Sequence, residues 1–190
     1  GIPGRFSVYN SLAAISVVSK LGVDAETIKE ALLNVRVPGR SELVDNKKGL
    51  TIMIDYAHSP ESLQSILSAV KSYTRGKVIS VFGCGGDRDK TKRPIMGKIS
   101  TSIADFTIIT SDNPRTEDPD TIVNEIEVGA KKAKGKYKKI VNRTEAIKYA
   151  INMASKNDII VLAGKGHETY QEINGIKHHY DEREIIKEVI

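Results

Sequence analysis

The feature that most constrains the fold is an alternation, from residue 51 onward, of short apolar runs with stretches of helical periodicity. Strands that are apolar on both faces and separated by helices are typical of a parallel sheet covered on both sides. We therefore predict an α/β fold, a Rossmann-like, mostly parallel sheet with helices on both faces. The strands are expected at 51–54, 78–82, 106–109, 138–141 and 158–163, and the helices near 60–72, 93–104, 120–133 and 143–155.

The two ends of the chain carry different patterns. Residues 8–21 have the apolar spacing of an amphipathic helix, and Asp24 is placed to cap a second one. Pro38-Gly39 then breaks the chain, so we predict a domain boundary there, with residues 1–37 as the tail of an adjoining domain and 38–190 as one domain. Near the C-terminus, Asn174-Gly175 joins two β-leaning runs as a hairpin, and a helix is expected at 181–188. Because the chain begins with Gly1 rather than Met, we expect a fragment.

Composition narrows the class of protein. The net charge is +5, from 29 Lys and Arg against 24 Asp and Glu, which mildly favours anionic ligands. One basic stretch, Lys131–Lys139, is a candidate for nucleic-acid binding, although its place between a helix and a strand favours a solvated linker. Cys84 is the single cysteine, which excludes an internal disulfide and favours the reducing cytoplasm. No apolar run is long enough to cross a membrane.

Charged and polar residues follow four of the five predicted core strands. In an open parallel sheet, ligands bind beyond the carboxyl ends of the strands, so we expect these segments to meet in one crevice. Turn formation accounts for the glycines and for Pro114, but less well for Arg88, Arg115, His58 and Glu168.

The residue types suggest the ligand. Arg88 and Arg115 favour carboxylates or phosphates, and Glu168 suits an ammonium group, so a small zwitterion fits best. A surface ion pair between Arg115 and Glu168 is the alternative. No G-x-x-x-x-G-K-[ST] phosphate loop and no complete G-x-G-x-x-G fingerprint occur in the chain. An ATP phosphate cradle, if there is one, must lie elsewhere, and a dinucleotide-binding oxidoreductase is disfavoured.

Taken together, these segments resemble the Mur ligase family of peptidoglycan synthesis, and within it the members that add diaminopimelate. They cover nearly the whole chain in the family's order. The segments are GRFSVYNSLAA (4–14), VPGR (37–40), DYAHSPESL (55–63), VFGCGGDRDKTKRPIMG (81–97), SDNPRTEDP (111–119) and AGKGHETYQ (163–171).

The resemblance implies an ATP-dependent amide ligase of the bacterial cytoplasm, of which this chain is the C-terminal domain and the end of the central one. The N-terminal and central domains would carry the pocket for the UDP-N-acetylmuramoyl dipeptide, the ATP phosphate loop and most of the Mg²⁺ site, so no metal is expected here. No nucleic-acid or membrane partner is implied. Lysine-adding and folylpolyglutamate ligases remain the alternatives, with a basic nucleic-acid-binding module as a remote one.

The same resemblance assigns site residues. Arg88 would hold the carboxylate of meso-diaminopimelate at its reacting end, whereas Glu168 and the Gly164 carbonyl would hold the far ammonium. Asn113 and Arg115, within the tetrad Asp112-Asn113-Pro114-Arg115, would hold the far carboxylate.

For ATP, the resemblance implies Asn10 and His58 near adenine, and Arg40 and Asp55 near ribose or phosphate. Ser7 stands where relatives usually have Asn. Lys165 and His167 are interpreted as loop-shaping or rim residues.

Overall fold

The computed structural model describes residues 5–190, with side chains from residue 7 onward. Gly4, the first residue of the 4–14 segment, and the side chains of Arg5 and Phe6 lie outside the described part. The helices are α1 Arg5–Lys20, α2 Ala25–Asn34, α3 Pro60–Tyr73, α4 Lys92–Ile103, α5 Pro119–Ala133, α6 Arg143–Met153 and α7 Glu182–Val189. The strands are β1 Glu42–Leu43, β2 Thr51–Asp55, β3 Val78–Phe82, β4 Phe106–Ile109, β5 Tyr137–Lys139, β6 Ile159–Ala163, β7 Tyr170–Ile173 and β8 Ile176–His179.

The central sheet has the order β1-β2-β6-β3-β4-β5, and every pairing in it is parallel except that of β1 with β2. Strand β6, late in the chain, inserts between β2 and β3, which brings the ends of β2, β6, β3 and β4 side by side. The predicted α/β architecture is confirmed.

Two hydrophobic clusters cover the two faces of this sheet. On one face, α3, α4 and α5 pack on the sheet through side chains such as Leu67, Met96 and Ile126. On the other, α6 and α7 pack through Ile147 and Ile186. Each inner strand therefore has apolar residues on both sides, which is why the sequence shows continuous apolar runs rather than alternation.

Helix starts follow the expected capping chemistry. The Asp24 side chain accepts a hydrogen bond from the backbone N–H of Thr27, as predicted for the N-cap of α2. At α3, Ser59 and Ser62 form a reciprocal capping box, with Pro60 as the first residue of the helix between them. This cap fixes the loop that leaves β2, and so places the residues just before it at the edge of the sheet.

The C-terminal hairpin, formed by β7 and β8, is confirmed as predicted, with Asn174 and Gly175 both at positive φ in its turn. The strand predicted at 138–141 is shifted, because β5 ends at Lys139. The sequence reasoning missed β1, which has only two residues. No helix within residues 5–190 has the length and apolarity to span a bilayer.

Candidate functional site

A cavity of about 320 Å³, here called the small cavity, lies at the edge of the sheet where β2, β3, β4 and β6 end. Each of these strands contributes the loop that follows it, so residues more than 100 positions apart face one another. The residues that line it are Tyr56, His58, Gly83, Cys84, Gly85, Arg88, Asp89, Lys92, Asp112, Asn113, Arg115, Gly164 and Glu168.

Six of the seven residues predicted to bind the amino acid line this cavity, and Pro114 does not. Pro114 is buried, and its carbonyl oxygen lies so close to Gly86 that a Cβ at Gly86 would overlap it. Gly164, at φ +118°, has a similar constraint, since a Cβ there would come 2.5 Å from Asp112 Oδ2. The tight loops therefore depend on glycine at these two places.

Asn113 is held in one orientation by its neighbours. Its Oδ1 accepts hydrogen bonds from Lys165 Nζ (2.9 Å) and from the backbone N–H of Glu172 (3.0 Å). Its Nδ2 donates to Glu168 Oε2 at 2.8 Å. The amide thus presents N–H donors on the side of Glu168.

Arg115 is anchored through part of its guanidinium. Nη1 donates to the carbonyl of Gly86 at 2.7 Å, and Nε lies 3.3 Å from Glu172 Oε2. The ion pair between Arg115 and Glu168 that we considered from sequence is absent from the described residues, where Arg115 pairs with Glu172 and Glu168 pairs with Lys165. Neither anchoring contact uses Nη2, which leaves that group for a ligand.

A buried arginine ties the two arginine-bearing loops together. Arg93, fully buried, binds both oxygens of Glu117 at 2.9 Å and Glu125 at 2.6 Å. Glu117 also accepts a hydrogen bond from the backbone N–H of Asp87 (2.6 Å), next to Arg88. The Arg93 hydrogen bonds lower the pKa of Glu117 to about 2.

Arg88 itself is exposed, and its Nη1 lies 3.3 Å from the carbonyl of Asp87. Cys84, at the floor of the small cavity, is buried, and burial raises the pKa of its thiol to about 12. A thiol with such a pKa is a poor nucleophile, so Cys84 is not suited to nucleophilic catalysis.

A second, larger cavity of about 930 Å³ lies between α1, α2 and α3. Three of the four residues predicted for ATP, namely Asn10, Arg40 and Asp55, line it, together with Ser7. Asp55 accepts backbone N–H groups from Ser41 (2.7 Å) and Ala57 (2.9 Å), and burial raises its pKa. The Ser7 hydroxyl is buried without a hydrogen-bond partner in the described part of the chain.

The fourth ATP candidate, His58, lies at the small cavity instead. Its ring is 4.8 Å from that of Tyr56, which also contacts His167 at 5.2 Å. The Arg40 guanidinium lies 4.8 Å from the Tyr56 ring on the side of the larger cavity. Tyr56 therefore links the two cavities.

Three residues of the site were missed or misplaced from sequence. Lys165 is wholly buried rather than at the rim, because Asp112, Asn113 and Glu168 supply acceptors beneath the cavity. Arg93 lies within the 81–97 segment but was given no role from sequence, and Glu172 follows directly after the 163–171 segment, outside every motif. His167 is exposed and packs on Tyr56.

Two features outside the cavities complete the description. Within residues 5–190, no group of three or more His, Cys, Asp or Glu side chains could hold a metal ion. In the basic stretch, Lys131 and Lys139 both pair with Glu127, so part of its charge is neutralised.

Comparison with known proteins gives a consistent match. The family described as Mur ligase, glutamate ligase domain, matches residues 39–166. Two curated relatives, each named UDP-N-acetylmuramoyl-L-alanyl-D-glutamate--2,6-diaminopimelate ligase, come from Caldanaerobacter subterraneus subsp. tengcongensis (52% identical) and Clostridioides difficile (48% identical). Both matches cover 100% of this chain and 39% of the relative. A solved structure of a ligase with the same name matches at 37% identity with a TM-score of 0.77, again over 100% of this chain and 39% of that one.

Proposed function

This chain belongs to the Mur ligase family, a family of ATP-dependent amide ligases, and from that premise we propose that it is the amino-acid-binding domain of a ligase adding meso-2,6-diaminopimelate to UDP-N-acetylmuramoyl-L-alanyl-D-glutamate. The chain spans 39% of the length of the curated relatives it matches. The remaining parts of the reaction are accordingly assigned to a longer protein, active in the bacterial cytoplasm.

The observation that carries the proposal is the position of Arg88, Asn113, Arg115 and Glu168 around one cavity of about 320 Å³. This volume is at the lower end of the ~300–1,000 Å³ typical of small-molecule sites. Two arginines and an amide can donate to two carboxylates, and a glutamate can accept from an ammonium. Diaminopimelate has this set of groups at its two ends.

Each residue then has a role. Arg88, exposed at the mouth, holds the carboxylate beside the reacting amino group. Asn113 Nδ2 and Arg115 hold the far carboxylate, and Glu168 with the Gly164 carbonyl holds the far ammonium. Asp112 contributes through the packing of its carboxylate against Gly164, and Pro114 through the shape of the loop.

The geometry also supports selection against lysine. Lysine has an ammonium at its far end but no carboxylate there, so Arg115 and Asn113 would lose the partner they are placed to bind. Leaving such donors desolvated and unpaired is costly, and a site of this kind rejects the analogue strongly.

The proposed reaction has two steps. The γ-phosphoryl group of ATP passes to the carboxylate of the nucleotide-linked dipeptide, giving an acyl phosphate and ADP. The amino group of diaminopimelate then attacks the acyl carbon, phosphate leaves with the C–O bonding pair, and the nitrogen loses a proton. This chain's part is to hold the amino acid so that its amino group meets the acyl phosphate.

ATP would contact this chain in the larger cavity, through Asn10, Arg40 and Asp55, with His58, which lines the small cavity, as the fourth candidate. Asn10 and His58 would lie near adenine, and Arg40 and Asp55 near ribose or phosphate. Because the sequence lacks a phosphate loop, that loop is assigned to another part of the longer protein. The Mg²⁺ ion that accompanies ATP would be held mainly by the central domain of the longer protein, outside this chain.

The proposal is tested with the full-length enzyme, ATP and the UDP-linked dipeptide, by comparing kcat/KM for meso-diaminopimelate and L-lysine through phosphate release and product mass. We expect at least a ~100-fold preference for diaminopimelate. A preference for lysine, or equal rates, would contradict the assigned substrate.

The variant Arg115→Met sharpens this test. It removes the far-carboxylate donor, so we expect kcat/KM for diaminopimelate to fall by at least ~100-fold and that for lysine to change much less. Arg75→Met, an exposed arginine outside both cavities, is the matched control and should leave both values unchanged.

A further inference from the structure

A buried lysine lies directly beneath the small cavity and has no role in the reaction proposed above. Lys165 is 0% exposed and does not line the cavity. Its Nζ is 2.9 Å from Asn113 Oδ1, 3.4 Å from Glu168 Oε2 and 3.8 Å from Asp112 Oδ1. All three acceptors belong to residues that do line the cavity.

The chain turns this side chain inward by its backbone geometry. Gly164 and Gly166, on either side, both have positive φ, at +118° and +55°. The Nζ atom also lies 5.8 Å from the ring centres of Tyr170 and Tyr180. A buried ammonium is stable only when it is paired, and here Lys165 Nζ donates to Asn113 and Glu168 and forms an ion pair with Asp112 at 3.8 Å.

The contact with Asn113 fixes which end of the amide faces the ligand. Lys165 Nζ and the Glu172 N–H both donate to Oδ1, so a flipped amide would place its NH₂ group against two donors. Asn113 is therefore held as a donor toward the ligand, which is the polarity needed to bind a carboxylate.

The contact with Glu168 fixes which oxygen remains for the ligand. Oε2 is engaged by Asn113 Nδ2 at 2.8 Å and by Lys165 at 3.4 Å, and neither contact uses Oε1. Lys165 also balances the two carboxylates, Asp112 and Glu168, that lie close together on this side. The ligand's ammonium thus meets an oriented carboxylate oxygen.

From these contacts we infer that Lys165 is a positioning residue for diaminopimelate, acting through Asn113 and Glu168 without touching the ligand. This inference rests on the proposed function. It predicts that loss of the Lys165 ammonium weakens binding of the amino acid while the other two substrates bind as before.

The test uses Lys165→Met in the full-length enzyme, because methionine keeps most of the apolar stem and removes the charge. We expect KM for meso-diaminopimelate to rise on the order of 10-fold, as for a lost hydrogen bond to a charged group. The kcat value and the KM values for ATP and the UDP-linked dipeptide should change by less than ~2-fold. An unchanged KM for diaminopimelate, or an equal rise in all three, overturns the inference.

A double-mutant cycle with Glu168→Gln tests whether Lys165 acts through Glu168. We expect Lys165→Met to raise KM less in the Glu168→Gln enzyme than in the wild type, because one of its two targets is already lost while Asn113 remains. Full additivity overturns the inference. If Lys165→Met alone does not fold, the double variant, which removes one charge of each sign, supplies the comparison with Glu168→Gln.

Lys148→Met is the matched control, since Lys148 forms an exposed ion pair with Glu145 at the same three-residue spacing (3.0 Å). It should leave every KM unchanged. The substrate preference of the wild-type enzyme distinguishes a failure of the proposed function from a failure of the inference about Lys165. If it prefers lysine, the proposed function and the inference both fail, whereas a diaminopimelate preference with an unaffected Lys165→Met variant removes only the inference.

Discussion

At the scale of single residues, internal pairing decides which polar groups remain for a ligand. Glu172 and the Gly86 carbonyl engage Nε and Nη1 of Arg115, and Asn113 with Lys165 engages one oxygen of Glu168. Both side chains are thereby pre-oriented with part of their hydrogen-bonding capacity unused. Pre-orientation lowers the entropy lost when the ligand binds.

A pH prediction follows from Glu117. Its pKa is about 2 in the folded chain, below the ordinary 4.5, because Arg93 binds its carboxylate. A carboxyl with a lowered pKa stabilises the fold above its unfolded pKa, and that contribution is lost as the pH falls from about 4.5 toward 2. We expect Glu117→Gln to be less stable than the wild type at pH 7, with the difference shrinking at pH 3, as measured by urea unfolding.

The control for this prediction is Glu188→Gln, an exposed glutamate of α7 that forms no ion pair within residues 5–190. Its free energy of unfolding should match the wild type at both pH values. A Glu117→Gln difference that stays constant from pH 7 to pH 3 would contradict the electrostatic explanation.

The sequence predicted the positions of some site residues but not of others. Arg88, Asn113, Arg115 and Glu168 were placed in one crevice because each follows a strand that ends at the same edge of the sheet. The depth of Lys165 could not be predicted, because its burial depends on acceptors in another loop, such as Asn113, which is 52 positions away.

At the scale of elements, the C-terminal hairpin braces the loop that carries Asn113 and Arg115. The Arg115 N–H donates to the Glu172 carbonyl (3.0 Å), and the Asn174 N–H donates to the Arg115 carbonyl (2.7 Å). Gln171 Nε2 donates to the Asp112 carbonyl at 2.6 Å. The hairpin was predicted from its Asn-Gly turn, but its bracing role was not, since turn chemistry is local and the bracing contacts are not.

We predict that Gly175→Val strains the turn of the C-terminal hairpin and so weakens its contacts with the loop that carries Asn113 and Arg115. Gly175 has φ +76° and open space around its Cβ position, so the strain is in the backbone alone, roughly 1–2 kcal/mol. Because the turn positions Asn174 against Arg115, KM for diaminopimelate should rise while KM for ATP stays constant, in steady-state assays of the full-length enzyme.

Gly49→Val provides a matched comparison, since Gly49 has φ +64° and equally open space but lies in the turn between β1 and β2. It should lose similar stability without a change in KM for diaminopimelate. Equal effects of both variants on that KM would contradict a specific bracing role.

Element boundaries were predictable where packing is strong. The inner strands β2, β3, β4 and β6 match their apolar runs closely, because both faces of each are covered. The predicted bounds of the edge strand β5 were wrong, because the apolar pair Ile140-Val141 follows the strand rather than ending it. The Ile140 N–H still donates to the Ile109 carbonyl of the neighbouring strand β4 (3.0 Å). An edge strand has only one neighbouring strand, so its apolar pattern constrains its first and last residues less.

At the scale of the whole molecule, the described side chains of residues 7–37 contribute little to the core. Among residues 7–190, no buried member of either hydrophobic cluster precedes Ile52, and Val44, which packs against one cluster, also lies after residue 37. Helix α2 buries none of its residues, and Leu12, Val17 and Leu21 of the α1 region are more than half exposed. That residues 1–37 belong to an adjoining domain stays a prediction, in which these exposed apolar side chains would be covered by the rest of that domain.

Truncation tests this boundary. A chain of residues 38–190 keeps both hydrophobic clusters, so we expect its Tm, measured by circular dichroism, to lie within ~3 °C of that of 1–190.

A chain of residues 50–190 is the comparison, since its truncation removes contacts of the α/β domain itself. It loses β1, the Glu42 pair with Arg183, and the 2.7 Å bond from the Ser41 N–H to Asp55. Removing these contacts should lower Tm by at least ~5 °C. If instead 38–190 loses as much stability as 50–190, then α1 and α2 contribute to the fold of the α/β domain, and the boundary must be moved toward the N-terminus.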